Sequence, residues 1–193
     1  MSTTNRIVRG CGVAAPVVTL GAVLVATIVS PTFSWTASAL SDLGRAGAPT
    51  APIFNGGLLA GGALALPFVA GVGRGATQNW TRLGTVLFGV AAVSMGLVGV
   101  FPESHPYHFP AALGLYAFVT YGLFCYGTGR ILASSVRRGL AAIWLGVGHI
   151  TSWVAWGAGL RVGPGLAIPE TIGAGIFVAW IGLAWRLVGN ERA

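Results

Sequence analysis

Ser41-Asp42-Leu43-Gly44 is a polar tetrapeptide set between apolar stretches, with Pro49, Phe54 and Asn55 close behind it. Later connections add Glu103, His105, His108, Arg161 and Glu170. Only 8% of the 193 residues are charged, far below the roughly 25% usual in soluble domains, so the place where charges gather carries most of the chemical information. Carboxylates and histidines hold metals in threes and fours. Here His105-x-x-His108 lacks the Glu of a helical H-E-x-x-H motif and lies in a proline-bounded loop, so the spacing defines no metal site and no cofactor is implied. Ser41 or Ser104, activated by His108 with a carboxylate orienting the ring, would make the nucleophile of a membrane-embedded lipid-modifying hydrolase or transferase. Arg45 and Arg161 can meet a phosphate, Asn55 and the histidines can donate hydrogen bonds, and the acids can hold the arginines, which together would bind a lipid headgroup or a small polar ligand. The same side chains can instead serve only to fasten loops.

These residues need elements to position them, and the composition says which. With 54% hydrophobic residues, the chain falls in the membrane class. Apolar stretches run near 12–33, 52–72, 83–101, 109–132, 139–160 and 167–188, each near the roughly 20 residues a bilayer-spanning helix requires. A transmembrane barrel would show alternating segments of about 10 residues instead. The expected fold is an all-α, six-transmembrane-helix bundle forming a single polytopic domain over 1–193.

All eleven basic residues are arginine. If both termini are cytoplasmic, Arg6, Arg9, Arg74, Arg82, Arg130, Arg137, Arg138, Arg186 and Arg192 lie inside and only Arg45 and Arg161 outside, as the positive-inside rule requires. Asp42, Glu103 and Glu170 then lie outside and Glu191 inside. The expected location is the cytoplasmic membrane of the cell, crossed in multiple passes. The formal charge of +7 marks the inner rim and anionic lipid contact. Arginines scattered singly or in pairs at helix ends do not make a nucleic-acid surface. Membrane lipids are the expected partners, and the oligomeric state stays open. Arg6, Arg9, the first apolar run and Ala37-Ser38-Ala39 imitate a cleavable signal peptide, but the run from Gly12 to Val29 is longer than the usual 7–15 residues and reads as a retained first helix. Cys11 and Cys125 fall on different helices and are expected to stay unpaired.

Glycine contributes 31 residues and concentrates inside the spans, where small residues let backbones approach. Gly57-x-x-x-Gly61 is the clearest case and reads as an internal helix contact. Pro67 should kink the second helix. Trp35, Trp80 and Trp185 fall at helix ends and suit the interfacial belt. Ser38 to Leu43 can form a short helical turn that Gly44 ends in a left-handed conformation, with Thr50 capping the second helix and Pro52 in its first turn. Asn55, one turn inside, needs a partner that the Ser41–Asp42 loop is placed to supply. His149 lies near the middle of the fifth span, with Trp153 and Trp156 on its side. At that depth an ionisable group marks a function such as small-molecule or proton-coupled transport, or is a neutral histidine bonded to a neighbouring helix. No clear internal repeat supports transport.

Ser41 to Gly44, the P-x-x-A-P-I-F-N stretch from Pro49 to Asn55 with Gly57, and V-G-V-F-P at Val98 to Pro102 followed by His108 and Ala111-Ala112 resemble a prokaryotic integral-membrane family, domain of unknown function number 998. The resemblance covers nearly the whole chain. More distantly, S-D-x-G followed by Pro and Phe, then a later Glu and His, is similar to the damage-regulated autophagy modulator superfamily, whose members are associated with lipid remodelling or lipid-kinase regulation at membranes. By these resemblances Ser41, Asp42, Gly44, Asn55, His108 and Glu170 are the matching positions. The family carries Glu-Arg where this chain has Glu170-Thr171, so a basic partner is missing.

Overall fold

The computed structural model describes residues 2–189; Glu191 and Arg192 lie outside the described residues. Six long helices make up the chain: α1 Thr3–Val29, α2 Ala51–Gly75, α3 Asn79–Val100, α4 His108–Leu132, α5 Val136–Gly157 and α6 Ala167–Ala184. Short 3-10 turns occupy Leu40–Gly44 and Trp185–Leu187. No strand forms among the described residues. All six helices are long and apolar enough to cross a bilayer.

Several boundaries differ from the hydropathy reading for local reasons. α1 starts at Thr3 because the Ser2 hydroxyl accepts from the Asn5 amide at 3.2 Å, capping the polar first turns. It ends at Val29 because Ser30 precedes Pro31, and a residue before proline is pushed out of the helical region. α5 stops at Gly157, short of 160, in a Schellman closure: Gly159 has φ +83°, its amide donates to Trp156 O at 3.1 Å, and the Leu160 amide donates to Ala155 O at 2.9 Å. α6 gives way to a 3-10 turn at Trp185. Gly44 is not a left-handed cap. Its φ is not positive, and glycine is needed for another reason given below.

Consecutive helices pack as antiparallel neighbours, most closely α3 against α4, α1 against α2 and α2 against α3. The seams are built on missing side chains. A Cβ on Gly57 or Gly61 would collide with Ala22 or Thr19 of α1, so the Gly57-x-x-x-Gly61 stripe faces inward. Gly62 lies against the Ala92 carbonyl of α3, where a Cβ would sit at 2.6 Å. Pro67 lies within α2. Arg6, Arg9, Arg74, Arg82, Arg130, Arg137, Arg138 and Arg186 all fall on one end of the bundle, called here the arginine end. There the Arg9 guanidinium donates to Val188 O at 2.8 Å and lies 5.6 Å from the Trp185 ring, tying the start of α1 to the end of α6.

An aromatic core fills the half nearer the arginine end: Trp180 stacks on Phe88 at 3.6 Å between centroids and meets Phe68 and Tyr126 edge-on. A second cluster around Leu43, Phe54, Leu58 and Val98 fills the opposite, Asp42 end. α6 touches α1 and α4 only sparsely, and the space left between them matters below. Gly84→Leu on α3, where an added Cβ would sit 2.7 Å from the Gly122 carbonyl of α4, is expected to lower the thermal unfolding midpoint in detergent, costing about 1–3 kcal/mol or more. Gly148→Leu, where nothing lies within 4 Å, should leave it unchanged. Equal shifts for the two variants would contradict a close α3–α4 seam.

Candidate functional site

The Leu40–Gly44 turn is held by side chains, one of its own and three from elsewhere. Asp42 Oδ2 accepts from the Ala39 amide at 2.9 Å, and Glu170 Oε2, from the first turn of α6, accepts from the Leu40 amide at 2.6 Å. On the other side the Thr50 hydroxyl donates to Leu43 O at 2.7 Å and Asn55 Nδ2 donates to Gly44 O at 2.9 Å. Thr50 is the N-cap residue of α2, yet its side chain makes no capping bond to α2 and serves the turn instead. Gly44 packs so closely on Asn55 and Phe54 that a Cβ would overlap both. Backbone pairing extends the attachment, with the Gly165 and Ala167 amides donating to Thr36 O and Ser38 O at 2.9 and 3.0 Å.

The expected convergence of all the charged groups does not occur. Arg45 joins Asp42 at 2.5 Å and Glu103 at 3.2 Å on the exposed surface. Glu103 first, and then Asp42, raise the affinity of its guanidinium for the proton above the ordinary value. Arg161 stands apart, its guanidinium 4.9 Å from the Trp156 ring, while Trp156 Nε1 donates to Gly165 O at 2.8 Å. The 158–166 loop is thus shaped by Gly159 and Trp156, and carries Arg161 away from the acids. His105 stacks on Phe101 at 4.7 Å and accepts from the Tyr107 amide. Among the described residues no three His, Cys, Asp or Glu side chains gather closely enough to hold a metal ion. Cys11 and Cys125 are both free.

His108, read as a loop residue, is the first residue of α4. Its Nδ1 lies 2.8 Å from Phe101 O. A carbonyl can only accept, so Nδ1 carries the proton and, in the neutral ring, Nε2 keeps its lone pair. A backbone carbonyl orients this ring, where the hydrolase reading expected a carboxylate.

Ser41, His108 and Glu170 line one end of a cavity of about 290 Å³ that descends into the bundle. Helical stripes form its walls. On α4 the lining residues are His108, Ala112, Leu115, Tyr116 and Val119, spaced as one helix face. On α6 they include Glu170, Thr171, Ala174, Phe177 and Val178, and on α1 Ala15, Thr19 and Val23. From His108 to Val119 the stripe descends about 16 Å at 1.5 Å rise per residue. Leu20, Leu24 and Thr171 line the cavity and are exposed on the bundle surface, so its rim reaches the lipid-facing side at α1 and α6. Asp42, Arg45, Asn55, Glu103, His105 and Arg161 do not line it. Tyr116 was not singled out from the sequence, although the stripe running down from His108 at helical spacing was there to be read.

His149 is fully buried and fully engaged. The Thr120 hydroxyl donates to Tyr116 O at 2.9 Å and therefore accepts from His149 Nδ1, also at 2.9 Å. Trp153 Nε1 then donates to His149 Nε2 at 3.2 Å. A second ring proton would point at the Trp153 N–H, so this arrangement holds a neutral histidine and leaves no open position for a relay.

Six membrane-length helices enclosing a lipid-facing cavity with a polar end define a multi-pass integral-membrane protein. The chain belongs to the family described as "Protein of unknown function (DUF998)", which it matches over residues 13–186. No curated protein and no solved structure matches it.

Thr50→Val is expected to leave the buried Leu43 carbonyl unpaired and cost about 1–3 kcal/mol, with faster proteolysis within 30–50. Arg45→Ala, on the exposed surface, should change neither. Unchanged proteolysis in Thr50→Val would show that this bond does not hold the turn.

Proposed function

We propose that the protein binds an amphipathic lipid, with a hydrocarbon chain in the cavity and a polar end against Ser41, His108 and Glu170. The cavity is the observation that supports this reading: about 290 Å³, near the lower edge of the roughly 300–1,000 Å³ typical of small-molecule sites, apolar along its length and polar at one end. Leu115, Val119 and Phe177 in its walls offer a chain nothing but aliphatic and aromatic contact. The distant likeness of S-D-x-G and the later Glu and His to a lipid-associated superfamily points the same way, by analogy only. Of the sequence candidates, Ser41, His108 and Glu170 contact the ligand in this reading. Asp42 and Asn55 support the loop, Arg45 and Glu103 pair on the exposed surface, and His105, Arg161 and His149 serve local packing.

The orientation belongs to the same proposal. The arginine end faces the cytoplasm, by the positive-inside rule, and the cavity's polar end lies at the opposite interface. A C-terminal reporter enzyme that works only outside the cytoplasm should stay inactive, and activity would reverse the orientation.

Filling the cavity tests the binding. Leu115→Trp is expected to remove a lipid that co-purifies with the unaltered protein, as read by mass spectrometry of extracts from detergent-purified samples with matched elution on size exclusion. Identical lipid profiles for the two proteins would overturn the proposal.

A further inference from the structure

The polar end of the cavity is rich in acceptors and is lined by no arginine. Glu170 spends Oε2 on the Leu40 amide, and its other oxygen has no protein partner among the described residues. His108 donates through Nδ1 to Phe101 O, which leaves Nε2 as an acceptor. The Ser41 and Tyr116 hydroxyls have no protein partner among the described residues and can act either way. Phosphate and sulfate are recognised by guanidinium or ammonium donors. Both arginines at this end of the bundle are turned elsewhere: Arg45 is held by Asp42 and Glu103 on the surface, and Arg161 lies over Trp156. Neither lines the cavity. An anionic end group placed beside Ser41 would lie against the Glu170 carboxyl group with no guanidinium or ammonium among the lining residues to meet it.

We infer that the ligand is a single-chain amphiphile whose polar end donates hydrogen bonds, a hydroxyl or a primary ammonium, and that chains ending in phosphate are refused. This rests on the lipid-binding reading above and narrows it. Glu170 and His108 accept from the end group, and Ser41 and Tyr116 complete its hydrogen bonds. The walls take one chain, since about 290 Å³ is small even among single-ligand sites.

The experiment compares tetradecanol, tetradecylamine and tetradecyl phosphate, which share one chain, for binding to the full-length protein in phosphatidylcholine nanodiscs by native mass spectrometry. The alcohol or the amine is expected to bind at least about tenfold more tightly than the phosphate, a charge-assisted or neutral hydrogen bond being set against an unpaired anion. The stronger of the two identifies a hydroxyl or an ammonium end. Glu170→Gln should weaken the amine about tenfold and the alcohol far less, because the amide keeps an acceptor but loses the charge. Phosphate binding as tight as the others would overturn the inference while leaving lipid binding intact. If none of the three bound the unaltered protein more tightly than Leu115→Trp, the lipid-binding reading itself would fall. The comparison among the three probes uses the unaltered protein, so it stands even if Glu170→Gln fails to fold.

Discussion

A polar turn placed at the end of an apolar bundle must find a partner for each backbone group that neither helix geometry nor water satisfies. In Leu40–Gly44 those partners are four side chains drawn from three places: Asp42 within the turn, Thr50 and Asn55 from the start of α2, and Glu170 from the start of α6. Because the suppliers lie on different helices, meeting the needs of the turn also fixes how α2 and α6 stand at this end. The long 30–50 connection is thereby a bracket between helices. Most of the polar residues that give the sequence its character are consumed in holding it, and only what is left over faces the cavity.

The two kinds of helix contact explain where space remains. α1 through α5 pack through glycine, with backbone on backbone at Gly62 and Gly84, so these seams close tightly. α6 is fixed at both ends, by Glu170 at one and by the Arg9 contacts with Val188 and Trp185 at the other. Between them it approaches α4 and α5 at Gly173, where a Cβ would lie 2.7 Å from the Tyr116 ring and 2.9 Å from His149 Nε2. Beside that point Ala112 and Ala174 are too small to fill the gap to α1, and the cavity is what they leave.

The six spans and the segregation of arginine were legible because bilayer thickness and charge placement act on composition alone. Asn55 was legible too, since an amide one turn inside a span needs a partner and only the preceding loop was near. Arg161 was misplaced because its position is set by Gly159 and by Trp156, a loop closure and a ring face that leave no trace in charge pattern. The cavity was illegible for a different reason. Leu115, Val119 and Phe177 are the same residue types that fill the core, and whether they meet a neighbour or empty space depends on how far α6 stands off. Histidine 149 needed its partners to be seen: Thr120 and Trp153 decide between a relay and a closed network, and their spacing alone does not.

Glu170 has two tasks, with one carboxylate oxygen on the Leu40 amide and the residue itself lining the cavity. A carboxylate moves as one rigid plane, so its two oxygens cannot be repositioned independently. Whatever occupies the polar end of the cavity therefore shares a lever with the bracket that positions α6, and by reciprocity the bracket sets the geometry an occupant meets. If the cavity binds the proposed ligand, loop order and cavity occupancy form a single equilibrium, written through one side chain.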